Sequence, residues 1–258
     1  MKKAMMLIIV VLLLLLLVPG CFGEVRGSGD LETREFDYND FTRVEVGTAF
    51  EVEVVQSESF SISVTADDNI FDYIVVSKSG ETLEIKLRTG YRYFHYTAIA
   101  EITMPQLDRL YFSGATSGTV SGFSSAQDLY IELSGASSLD MVNMAVGDVE
   151  FELSGASNLT GDITADGDAR FDLSGASSVD LSGSADDLYA DASGASSLVL
   201  ENFPVADATI ELSGASSGTV NLDGVLNADL SGASHLYYIG EPTLGDIDTS
   251  GASGISKK

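Results

Sequence analysis

Seven carboxylates recur at nearly constant spacing: Glu132, Glu152, Asp172, Asp191, Glu211, Asp229 and Asp248. Their separations are 20, 20, 19, 20, 18 and 19 residues. A fold that repeats about every twenty residues would bring them into one vertical file. Carboxylates stacked about 4.8 Å apart repel by about 0.9 kcal/mol per pair in water. Such a file is expected to raise some carboxyl pKa values, to bind cations, or to rely on salt. Calcium prefers several oxygen ligands, so weak Ca²⁺ binding at several points is the candidate metal chemistry. A basic docking partner is the other candidate. From Tyr111 to Ser256 the only basic side chain is Arg170, so neutralisation from within the chain is scarce. The simpler alternative is a solvated acidic face that keeps molecules apart.

A second cluster combines rings with cations: Arg88, Tyr91, Arg92, Tyr93, Phe94, His95 and Tyr96. Aromatic faces beside hydrogen-bonding groups suit a glycan or a peptide strand. Strict alternation puts Tyr91, Tyr93 and His95 on one face and Arg92, Phe94 and Tyr96 on the other, with one face entering the core. Asp162, Asp166 and Asp168 have the look of a calcium loop but lack the glutamate and register of an EF-hand, so they read as a turn. Two histidines and one cysteine offer no zinc spacing. Glycoside hydrolysis needs one carboxylate pair at a fixed separation, whereas these acids recur as columns. The Asn-Thr-Asp, Gly-His-Gly and Arg-Ile-Lys motifs of polygalacturonase-like hydrolases are absent. A non-enzyme is expected. A carbohydrate-active β-helix enzyme and a cation-dependent stacking or polymer unit are the alternatives.

The elements that hold these residues follow from a period. Ser-Gly-Ala begins at Ser113, Ser134, Ser154, Ser174, Ser193, Ser213, Ser231 and Ser250. A unit of about twenty residues cannot bury a core alone and must stack on its neighbours. One residue before each serine lie Phe112, Leu133, Leu153, Leu173, Ala192, Leu212, Leu230 and Thr249. Three before lie Leu110, Ile131, Phe151, Phe171, Ala190, Ile210, Ala228 and Ile247. These mostly apolar columns two apart face inward on one strand. Leu139 and Met141, Val179 and Leu181, Leu198 and Leu200 mark a second strand. The intervening glycine permits a corner, and Gly147, Gly167 and Gly224 mark a third corner in some copies. The expected fold is all-β, a right-handed parallel β-helix or solenoid with rungs of two or three short strands. Residues 107–255 form the repeat. Residues 36–106, with alternation at Val44, Val46, Val52, Val54, Ile62, Val64, Leu83, Ile85 and Leu87, form a β-rich portion that caps or extends it.

The chain begins with two lysines, runs apolar from Met5 to Val18, and reaches Pro19, Gly20 and Cys21. That run is short for a membrane span. A small residue before a lone cysteine resembles a prokaryotic lipoprotein signal. The resemblance implies cleavage after Gly20, a lipid on Cys21 and an extracytoplasmic, envelope-anchored protein. Residues 1–20 are then the signal and 21–35 a glycine-rich tether. The chain holds 39 acidic and 13 basic residues. Nucleic acid is excluded as a partner, because phosphate binding needs a basic face.

Gly27-Ser28-Gly29, Phe41-Thr42-Arg43-Val44-Glu45-Val46, Phe50-Glu51-Val52, Ile102-Thr103-Met104-Pro105-Gln106-Leu107 and the repeated Leu-Ser-Gly-Ala-Ser together resemble the family described as putative auto-transporter adhesin, head GIN domain. The resemblance spans about residues 26–255. It implies a β-solenoid related in shape to pectate-lyase-like folds on prokaryotic envelope proteins, with no established catalytic residues. A glycan or protein ligand on a cell surface is the expected partner.

Overall fold

The computed structural model describes residues 23–258; Cys21, the expected lipidation site, and the apolar run before it lie outside the described residues. The chain is a β-solenoid of about seven turns with roughly 20-residue rungs. One side is an eleven-stranded sheet and the other a twelve-stranded sheet. Each repeat donates one strand to each: Leu129–Leu133 enters the first and Ser138–Val146 the second. Successive rungs pair in parallel, Leu129 opposite Val149, Ile131 opposite Phe151, Leu133 opposite Leu153. Stacking like on like follows, because a shift of one residue would turn every apolar column outward.

The inward columns bury almost completely. Ile131, Leu133, Phe151, Leu153, Phe171 and Leu173 are at most 1% exposed. Phe151 and Phe171 stack at 4.9 Å. Between the two strands of each repeat rung, Ser-Gly-Ala-Ser turns the corner, with Thr116 in place of the last serine in the first copy. The glycine takes a positive φ, +72° at Gly214 and +77° at Gly135. A Cβ on Gly214 would stand 2.5 Å from the carbonyl oxygen of Gly194 one rung below. Only glycine meets both demands. The second serine is buried, and its hydroxyl donates to the carbonyl three residues back: Ser137 to Ser134 at 2.8 Å, Ser216 to Ser213 at 2.9 Å. This satisfies a polar group that would otherwise destabilise the core.

Each rung has two strands, not three. Gly147 and Gly167 lie in the turn that leads into the next rung, and the long strands of the second sheet bend at bulges such as Met141 to Met144. Asn143 takes φ +55° there.

The segment before the repeats does two things. Thr82–Leu87 and Ala98–Met104 form the outermost rung, and Arg43–Gly47 with Glu51–Gln56 form the next, against Arg109–Ser113 and Ser117–Ser121. Antiparallel strands then close both sheets: Ile74–Ser79 on one, Ser61–Asp67 and Leu31–Glu35 on the other. Part of the expected tether is therefore structured. Gly23–Arg26 pairs with Tyr91–Phe94, and Leu31–Glu35 is an edge strand. The ladder of backbone bonds holds these residues despite their glycines. A short 3₁₀ helix, Asp68–Tyr73, was not expected from the alternation.

Candidate functional site: the acidic outer face

The residue between the two inward columns must point outward. The pairing is direct: Glu132 opposite Glu152, Glu152 opposite Asp172, Asp172 opposite Asp191, Asp191 opposite Glu211, Glu211 opposite Asp229, Asp229 opposite Asp248. All seven carboxylates thus occupy one file on the eleven-stranded sheet. Tyr111 precedes Glu132 in register, and Glu45 and Glu84 continue the file beyond it. Burial against the sheet and then the neighbouring carboxylates of Asp191 and Glu152 push the Asp172 carboxyl above the usual range, opposed by Arg170. Among the described residues, no group of three or more His, Cys, Asp or Glu side chains is placed to hold one metal ion. The acids form a line along the axis.

A parallel file runs two residues earlier on the same face: Arg109, Tyr130, Glu150, Arg170, Tyr189 and Thr209. The Arg109 guanidinium donates to the Glu132 carboxylate at 2.8 Å and lies 4.3 Å from the centre of the Tyr130 ring. Burial, then the Glu152 carboxylate, raises the Tyr130 phenol. Arg170 reaches Glu150 at 3.6 Å. Tyr189 is 41% exposed. Tyr130, Arg170 and Tyr189 border a groove of about 370 Å³ against Asp128, Asp148 and Asp168. A smaller groove of about 210 Å³ follows between Arg170, Tyr189, Asp191 and Glu211.

Asp128, Asp148, Asp168, Asp187 and Asp207 are a second acidic column that the sequence analysis did not single out as such. Each carboxylate accepts a backbone N–H of the next rung: Asp148 to Asp128 at 3.0 Å, Asp168 to Asp148 at 2.9 Å, Val225 to Asp207 at 2.7 Å. Their role is to cap the turn between rungs. The signal was present in the alignment. These residues stand six before the Ser-Gly-Ala serine, and Tyr130, Arg170 and Tyr189 stand four before it. Asp162, expected in a turn, lies instead in the strand Asn158–Ala165, held there by rung-to-rung pairing, and accepts the Asn143 N–H at 2.8 Å; only Asp166 and Asp168 flank the turn at Gly167.

The aromatic cluster stands elsewhere, at the N-terminal edge. Tyr73 packs on Tyr91 at 4.7 Å and on Tyr93 at 5.9 Å, and Tyr93 meets Tyr96 at 5.8 Å. The expected core face is only partial: Tyr93 and Tyr96 are half-buried against the core. Tyr91 and Phe94 are 41% and 42% exposed, and Arg88, Arg92 and His95 are exposed too. His95 takes φ +50°, which resets the alternation and brings Tyr96 round to the side of Tyr93. The twelve-stranded sheet carries a third groove, about 620 Å³, bordered by Glu51, Glu53, Glu101, Asp140 and Thr160. His235 shares a hydrogen bond of 3.1 Å with the Ser256 hydroxyl and packs on Tyr237.

The family model for putative auto-transporter adhesin, head GIN domain, matches residues 40–242. The chain belongs to this adhesin-head family. Solved structures share its fold. A protein named putative lipid binding protein from Parabacteroides distasonis superposes with TM-score 0.84 at 20% identity, covering 91% of this chain and 99% of that one. A putative adhesin from Parabacteroides merdae gives TM-score 0.82 at 18% identity, covering 92% and 99%. A putative adhesin from Parabacteroides distasonis gives 0.81 at 18%, covering 91% and 100%. No curated protein matches the chain in sequence.

Proposed function

We propose that this adhesin-family chain is a non-catalytic, extracytoplasmic surface protein, held to the membrane by a lipid on Cys21, that binds a basic protein segment along the acidic outer face. The observation that carries this reading is the unbroken file of seven carboxylates flanked by Tyr130, Arg170 and Tyr189 on the eleven-stranded sheet. A lysine- or arginine-rich strand laid across the rungs would find a carboxylate about every 4.8 Å and aromatic platforms beside it. Charge complementarity of this kind speeds encounter and selects partners. Repetition favours binding over catalysis, since a catalytic acid pair needs one unique geometry.

The test is calorimetric titration of the chain with a lysine-rich peptide. Binding should weaken steeply with added salt. Glu152→Gln, Asp172→Asn and Asp191→Asn combined should lower affinity roughly tenfold. Unchanged affinity in that variant contradicts the reading. A second reading, weak Ca²⁺ along the same file, is favoured by the direct register of Glu152, Asp172 and Asp191 on successive rungs. A calcium-dependent rise in melting temperature, absent in the triple variant, would support it.

A further inference from the structure

We infer that the aromatic edge at Tyr91 and Phe94 is a membrane-contact surface, seated in the phospholipid headgroup layer beside the N-terminal anchor. The inference rests on the proposed lipid at Cys21. Gly23–Arg26 is a strand paired with Tyr91–Phe94, Gly23 opposite Tyr91 and Arg26 opposite Phe94. The Tyr91 ring lies so close over Gly23 that a Cβ there would stand 2.9 Å from it. Only Phe22 lies between Cys21 and Gly23, so two steps of the chain span at most about 7 Å. A lipid on Cys21 therefore leaves no slack between this edge and the bilayer. The anchor would lie within that distance of the backbone opposite Tyr91.

The chemistry of the edge suits that neighbour. Tyr91 and Phe94 are exposed on the one strand, and Tyr73, Tyr93 and Tyr96 back Tyr91 in a ring cluster. Amphipathic rings concentrate at the membrane–water interface. Arg26, Arg88 and Arg92 share the edge, with Glu24 opposite Arg92. Arginine places its stem in the interface and its head among phosphates. The register is rigidly tied to the rest of the fold. The Asp67 carboxylate, 2% exposed, accepts N–H groups from Gly29 at 2.6 Å and Thr97 at 2.7 Å, joining the segment after the anchor to the segment after the rings. The repeat, with 22 acidic and 3 basic residues after Leu110, would be repelled by an anionic surface. Seating the aromatic edge thus directs the acidic coil away from the bilayer.

The chain contains no tryptophan, so one substitution supplies a unique probe. The full chain, purified from membranes, is reconstituted in phosphatidylcholine vesicles as Tyr91→Trp, Phe94→Trp or, for the repeat, Tyr189→Trp. Mass spectrometry of the N-terminal peptide reports whether Cys21 carries lipid. The expected result is blue-shifted emission, quenched by brominated lipid, at positions 91 and 94 and not at 189. Lipid on Cys21 without quenching at 91 and 94 overturns the membrane contact and leaves the anchor standing. Equal quenching at 189 overturns it as well. A Cys21 peptide without lipid overturns the anchor and the contact together.

Discussion

Two corners of the same coil obey different rules. In the repeat, every Ser-Gly-Ala corner stacks on another, and each glycine lies under the next one. In the rung Arg43–Gln56 the equivalent corner reads Gly47-Thr48-Ala49, with Gly47 opposite Ser113 in register. Thr48 adopts φ +72° there, where the repeats use glycine, and Ala49 adopts +58°, where they use alanine. The rung below that corner opens between Leu87 and Ala98 into the aromatic excursion. No tight corner lies beneath Thr48, so its side chain has room. Glycine is required by the stack above all, and left-handed backbone alone is tolerated at a cost of about 1–2 kcal/mol. The charges divide in the same way. Residues 22–110 mix 17 acidic with 8 basic side chains, while the repeat sets like charge on like. Repetition copies whatever sits at each position, favourable or not, and the unique segment supplies the covers.

Glycine substitutions sharpen this contrast most. Gly214→Ala is expected to destabilise the fold by about 3–5 kcal/mol, combining a backbone clash with unfavourable φ. Gly80→Ala, at φ +59° with nothing within 4 Å, should cost only about 1 kcal/mol. Urea midpoints measure both, and equal losses would break the distinction. Asp67→Asn comes next. It sets an amide N–H against one of two backbone donors and should cost about 1–3 kcal/mol. Hydrogen bonds to Thr97 and Gly29 hold the Asp67 carboxyl below its ordinary range, against the effect of burial. Its stabilisation is therefore present above that range and lost as pH falls through the lowered folded value. The Asn variant should lack this loss in an acid melting series. The smallest effect is at Asp172. Its folded pKa is raised, so ionisation opposes folding as pH climbs past the ordinary carboxylate range. Asp172→Asn should stabilise at neutral pH by under about 1 kcal/mol, since the group is largely exposed and screened, and added salt should reduce the part due to the neighbouring carboxylates.

Much of the coil was legible because its signal repeats. Leu133, Leu153 and Leu173 announced an inward column, and Glu132, Glu152 and Asp172 the outward one. The unique segment was less legible for the same reason. Nothing local told that Thr82–Leu87, later in the chain, lies outside Arg43–Gly47 in the stack; that order comes from long-range pairing. The strand Gly23–Arg26 was hidden by glycines, since backbone pairing to Tyr91–Phe94 leaves little pattern in side chains. His95 broke the expected alternation because one left-handed residue reverses the facing of all that follow. Tyr130 and Tyr189 escaped notice, and Arg170 stood out only as a lone cation, because the file they share varies in chemistry from rung to rung.

Carboxylate footprinting tests the binding face most directly. Carbodiimide labelling with mass-spectrometric readout would compare the chain alone and with saturating lysine-rich peptide. The account predicts protection at Glu152, Asp172, Asp191 and Glu211, with Glu53, Glu101 and Asp140 on the opposite sheet labelled as before. Protection confined to that opposite sheet, or no change at any of the four, would contradict it.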